Sequence, residues 1–105
     1  MAILDYNTMT DQEIFAVLGQ RIKEYRLAEK KSQQTLAALS GISCSTISHF
    51  EQGYSTNISL KSFMAILRAM GLIDELEKIL PELPMSPEIV KKIEKMTPKR
   101  VRKTD

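Results

Sequence analysis

A chain of 105 residues with a net charge of +2 has room for one modest hydrophobic core plus tails. It contains no run of 18 apolar residues, so no membrane span or membrane partner is expected. Its start, Met1-Ala2-Ile3-Leu4-Asp5-Tyr6, lacks the features of a secretory signal. Cys44 is the only cysteine, which excludes a disulfide framework and a cysteine-built zinc site; a cytoplasmic location is expected.

Residues 1–9 show no period and are expected to form an N-terminal arm. Thr10-Asp11-Gln12-Glu13 is a capping box: the Thr10 hydroxyl accepts from the amide three residues on, and Glu13 reaches back. Ile14, Leu18, Ile22 and Tyr25 then fall on one face of a first helix, predicted over about residues 11–30. Ser32 caps a second, short helix ending near Ser40, and Gly41 interrupts it. Ser43 caps a third, running to about Gln52 and stopped by Gly53. Residues 54–57 read as a polar loop. Ser59 caps a fourth helix with Leu60, Phe63, Met64 and Leu67 on its inner face, closed by Gly71.

Leu72, Leu76, Ile79 and Leu80 mark a fifth helix that stops at Pro81, and this stripe fits either core or a dimer surface. Pro81 and Pro84 stiffen a linker. Ser86-Pro87 is an N-cap with proline at the first helical position, followed by the apolar stripe Ile89, Ile93 and Met96. A basic run, Lys99-Arg100-Val101-Arg102-Lys103, ends the chain. Charge is uneven: residues 1–84 carry 8 Lys/Arg against 10 Asp/Glu, and residues 85–105 carry 7 against 3. Nucleic-acid binding therefore has to be argued from local geometry rather than from net charge. The chain reads as all-α, with boundaries at 1–9 (arm), 10–81 (five-helix domain) and 82–105 (extension with a short helix and basic tail).

The most informative window is 33–52. Two short helices that meet at a steep angle need a small side chain where they approach, which Ala37 supplies. The tight turn between them needs a residue that tolerates positive φ, which Gly41 supplies. Leu36, Ile42, Ile47 and Phe50 point inward and lock the pair, holding the second helix where it is free to enter a major groove.

The run from Ser32 to Gly53, with Ala37, Gly41, Ser43-Cys44-Ser45-Thr46-Ile47-Ser48 and Phe50-Glu51-Gln52-Gly53, resembles the helix-turn-helix of the Cro/C1-type (Xre) regulators. The resemblance extends over about residues 15–80. Ser40 and Cys44 depart from it, standing where an apolar residue and an Arg or Gln are common. It implies a lambda-repressor-like fold that binds a double-stranded operator as a homodimer. It also implies a structural ion pair between Arg26 and Glu51, expected to be half-buried, with a secondary reach of Arg26 to phosphate. Cys44, Ser45, Ser48 and His49 are expected to meet base edges. Ser32, Gln33, Thr46, Asn57 and Lys61 are expected to contact phosphates, helped by amides at helix starts; Gln33 is also expected to brace the recognition helix, and Thr46 has a thymine methyl as its alternative contact. Ala37, Gly41 and Ile47 form the motif scaffold.

Taken singly, these residues have plainer readings. A lone histidine on a helix is usually just solvated, and His49 has no second histidine for a metal or catalytic role. Cys44 is a small contact residue before it is a redox sensor. No nucleophile–base pair or phosphate-binding glycine loop is present, so neither enzymatic activity nor a cofactor is expected. The readings that remain are a transcriptional repressor regulating its own operon, its narrower form, and a protein-binding adaptor that does not read DNA. The narrower form is a HipB-like antitoxin partnered with a HipA-like kinase toxin; the order of motifs from Gly53 to the basic tail resembles that group.

Overall fold

The computed structural model describes residues 3–54 and 57–96. Among these residues are six α-helices and no strand: α1 Asp11–Ala28, α2 Gln33–Ser40, α3 Cys44–Glu51, α4 Leu60–Ala69, α5 Leu76–Ile79 and α6 Pro87–Met96. Single 3-10 turns occur at Tyr6–Thr8 and Ile73–Glu75. The basic run at 99–103 lies outside the described residues. Contacts divide the chain into two units, Met1–Glu75 and Leu76–Asp105.

In the first unit, helix starts and stops follow local chemistry. Thr10, Ser32, Ser43 and Ser59 each accept the N–H three residues on, which satisfies one orphan donor at the start of α1, α2, α3 and α4. Glu13 completes the capping box through a 2.9 Å bond from the Thr10 amide. The segment before Thr10 is expected to be an arm; it contains one turn, capped by Asp5. Three helices end on the same device. Lys30, Gly53 and Gly71 have positive φ, and the next N–H bonds the carbonyl five residues back. These bonds run from Lys31 to Arg26, from Tyr54 to His49 and from Leu72 to Leu67. At α1 the left-handed residue is a lysine, so the helix stops at Ala28 where no glycine announces it.

The core is formed by Ile22, Leu36, Ile47, Phe50, Ile66, Leu67 and Met70. Burying each of the fully enclosed side chains Leu36, Ile47, Phe50 and Ile66 contributes about 1.5–3 kcal/mol. Phe63 meets Phe50 edge-on at 6.2 Å. α3 packs on α1 and α2, and α4 packs on α2.

Two expectations about inner faces are corrected. Tyr25 is 50% exposed, because the buried side of α1 runs through Gly19, Ile22 and Arg26. That side is turned roughly a quarter-turn from the apolar row, at 3.6 residues per turn. Leu60 is 68% exposed. It occupies the first position of α4, and the packed stripe begins a turn later and includes Ile66.

The expected fifth helix is divided: a 3-10 turn at Ile73–Glu75 ends the first unit, and the single turn α5 begins the second. Leu72 and Leu76 are half-buried, whereas Ile79 and Leu80 are exposed. Residues 81–86 have no regular structure. The Ser86 hydroxyl accepts from the Ile89 amide at 3.2 Å and starts α6. No residue of α6 is buried; it carries Lys91, Lys92 and Lys95 together with exposed Val90, Ile93 and Met96.

Candidate nucleic-acid interface

α3 is bound on one side and open on the other. Ile47, Phe50 and Glu51 are buried. Ser45, His49 and Gln52 are exposed on the opposite side, with Ser48 half-buried beside them. This division follows from helix periodicity: with 47, 50 and 51 turned inward, 45, 48, 49 and 52 share the outer face. Cys44 and Thr46 lie at its two margins, both half-buried.

Glu51 anchors the inner side. Its carboxylate accepts Arg26 Nε at 2.7 Å and Arg26 Nη2 at 2.8 Å, a bidentate pair, and also Gln33 Nε2 at 2.9 Å. One carboxylate thus ties α1, α2 and α3 together. Arg26 spends its remaining terminal nitrogen, Nη1, on the Lys31 carbonyl at 2.7 Å, at the end of α1. The two side chains are only 7% and 1% exposed, so the pair is buried rather than half-buried. With Nε, Nη1 and Nη2 all engaged, Arg26 is not presented to a phosphate, contrary to the expected secondary reach.

Burial pushes the Glu51 carboxyl up. The hydrogen bonds from Arg26 and Gln33, with the charges of Arg26 and Lys23, outweigh burial and hold it below the ordinary carboxylate range. The hydrogen bond to Glu51 raises the Arg26 pKa against the opposing effect of burial.

Two further anchors were not visible in the sequence reading. A Cβ on Gly19 would lie 1.9 Å from the Phe50 carbonyl oxygen, so the backbones of α1 and α3 touch at this point. The available signal was a glycine inside an otherwise regular helix, which costs about 1 kcal/mol against alanine and calls for a packing reason. The Gln12 side-chain amide donates to the Gly53 carbonyl, fixing the end of α3 against the start of α1.

On the outer side, Ser48 accepts from Gln52 Nε2 at 3.2 Å. Gln52, two turns beyond Ser45, extends the exposed row and was not singled out from sequence. The rings of His49 and Tyr54 lie side by side, tilted by 53° with centroids 6.4 Å apart. Thr46, His49, Tyr54 and Asn57 line an open hollow of about 260 Å³ at this end of α3.

The residues expected at phosphates are placed as follows. Ser32 is exposed, and its hydroxyl caps α2 through the Thr35 amide. Gln33 is half-buried and braces Glu51. The Thr46 hydroxyl accepts from Ser43 at 2.8 Å. Asn57 and Lys61 are exposed. Of the scaffold residues, Ile47 is fully buried, Ala37 is half-buried, and Gly41 has φ 75° with its amide bonded to the Ala37 carbonyl at 2.9 Å.

Among the described residues no helix is long and apolar enough to cross a membrane, and no group of three or more His, Cys, Asp or Glu is placed to hold a metal. Residues 22–78 match the family model described as helix-turn-helix, that of the Cro/C1-type regulators. No curated protein and no solved structure matches the chain.

Proposed function

The chain belongs to the Cro/C1-type (Xre) helix-turn-helix family and is a DNA-binding regulator; on that premise we propose that it is a sequence-specific repressor that binds its own operator as a homodimer. The observation that carries this reading is the polar outer row of α3, exposed opposite a face buried by Ile47, Phe50 and Glu51. Ser45, Ser48 and His49 meet base edges in the major groove, with Cys44 at the margin of the row. Thr46, Asn57 and Lys61 take phosphate oxygens. Ser32 and Gln33 contribute at the start of α2, where free amides favour an anion. Arg and Lys are absent from α3, so one copy holds DNA modestly. Two copies on a two-fold operator, with half-sites one helical turn apart, make up the difference. Such a regulator works in the cytoplasm, without cofactor or catalysis.

The test is binding to the DNA upstream of its own gene and to a scrambled duplex, at two salt concentrations. Preference for the upstream duplex, falling steeply with salt, is the expected result. Equal weak binding to both duplexes contradicts the reading and favours an adaptor role.

A narrower reading, a HipB-like antitoxin docked on a HipA-like kinase, is favoured by α6, whose lysines and exposed apolar side chains suit a protein partner. Co-purification of a kinase-like protein, lost on removing residues 85–105 while DNA binding persists, is its expected signature. Loss of DNA binding alone would instead make this segment a phosphate-tracking arm.

A further inference from the structure

We propose that Tyr54 is a specificity-determining positioning residue: its ring holds the His49 imidazole in the orientation in which it meets a base edge. The inference rests on the assignment of His49 to base reading made above, and it brings in a residue outside the helix-turn-helix proper.

The backbone dictates the pairing. α3 ends with Gly53 at φ 78°, the Gly53 amide on the Phe50 carbonyl and the Tyr54 amide on the His49 carbonyl, each at 3.0 Å. In this closure the side chain just past the glycine is carried back over the side chain five residues earlier, and the pair is commonly apolar. The helix closed by Gly71 has leucine at both positions, with the Leu72 amide on the Leu67 carbonyl at 2.8 Å. At α3 the two positions hold Tyr54 and His49 instead, their rings inclined by 53° at 6.4 Å. The closure itself is held from α1. Gln12 bonds the Gly53 carbonyl, and a Cβ at Gly53 would come within 3.2 Å of the Ala16 Cβ.

Tyr54 is 72% exposed, so its ring has little to do with the core. Its neighbours are the residues of the open hollow, Thr46, His49 and Asn57. An exposed histidine without such a neighbour samples several rotamers and loses that freedom on meeting DNA. A histidine already leaning on a ring loses less. The expected gain is about threefold to tenfold in discrimination at the base pair His49 contacts.

The experiment uses the full chain and a preferred duplex selected from a random pool. Wild type, Tyr54→Phe, Tyr54→Ala, His49→Ala and the double variant are each measured against that duplex and its single-base-pair substitutions. Tyr54→Ala is expected to relax discrimination about threefold to tenfold at the base pair relaxed by His49→Ala, and nowhere else. Tyr54→Phe keeps the ring and should keep the discrimination. The double variant should discriminate no worse than His49→Ala alone, since the ring acts only through the imidazole.

Nuclear magnetic resonance of the free chain gives a readout independent of DNA. The His49 ring protons should move when Tyr54 becomes Ala and stay in place when it becomes Phe. A loss in Tyr54→Ala spread equally over all duplexes, or adding to that of His49→Ala, overturns the inference. So do His49 ring protons indifferent to Tyr54. If His49→Ala leaves every base-pair preference of the wild type intact, the assignment of His49 to base reading fails, and the inference falls with it.

Discussion

The two sides of α3 are built on opposite terms. The inner side is over-determined: Gly19 brings two backbones into contact, Glu51 accepts from two other helices, Gln12 holds the end, and Ile47 and Phe50 are fully buried. The outer side carries hydroxyls, an amide and an imidazole, and the bonds of Thr46 and Ser48 are local ones, to Ser43 and Gln52. A face made for recognition must leave its polar groups unspent, and a helix of eight residues can do so only if its other face is fixed by neighbours. The separation implies that inner substitutions cost stability and outer ones cost discrimination.

The largest effect should come from Gly19→Ala. The added carbon strikes a backbone carbonyl, which cannot rotate away as a side chain can. The expected loss is at the exceptional end for a single substitution, about 4 kcal/mol or more, measured by urea unfolding with circular dichroism. A loss near zero would show that α1 and α3 are not in backbone contact.

Next is Glu51→Ala, which strands the buried Arg26 guanidinium and should cost about 3–5 kcal/mol. Pairing Arg26→Met with Glu51→Leu should recover part of that loss, because no buried charge is then left alone. A double variant as unstable as the sum of the singles would mean that the pair itself, not the stranded charge, carries the energy.

Glu51 also predicts an acid dependence. Its folded pKa lies below the unfolded value, so its stabilisation is fully present above the ordinary glutamate value of about 4.3 and is lost as pH falls through the folded value. The stability gap between wild type and Glu51→Gln should therefore be constant from neutral pH to about 5 and narrow below about 4.3. A gap that widens in acid would reverse the assigned direction.

The smallest effect concerns the end of α1. Lys30 holds a left-handed φ of 56°, which favours glycine. Lys30→Gly should raise the melting temperature slightly, by less than about 1 kcal/mol in stability, since glycine's unfolded-state freedom offsets part of the relief. Any marked loss would mean that the lysine side chain does more than close the helix.

Much of the local structure could be read from the chain. Thr10, Ser32, Ser43 and Ser59 start helices, and Gly41, Gly53 and Gly71 end them, because each acts through its own backbone or that of its neighbours. Packing was less legible. The apolar row through Tyr25 pointed the wrong way because the true inner face of α1 contains a glycine and a charged residue, which a hydrophobic count scores as neutral or hostile. Leu60 matched the period of α4 but sits on its first turn, ahead of the packed stripe.

At the interface, the direction in which Ser45 and His49 face followed from the placement of Ile47 and Phe50. The brace from Gln33 to α3 was legible through the family resemblance. The parts played by Gln12, Gly19 and Tyr54 were not, since each depends on a partner far away in sequence or on how α3 closes.

The most direct measurement pairs Ser45→Ala with His49→Ala in one chain and follows melting temperature and duplex preference on the same sample. The account predicts an unchanged melting temperature, salt-dependent binding that persists, and a loss of about 1–3 kcal/mol of discrimination for each base contact removed. A double variant that melts as the wild type does and still prefers the same duplex would contradict the account, because the outer face of α3 would then not be what reads the DNA.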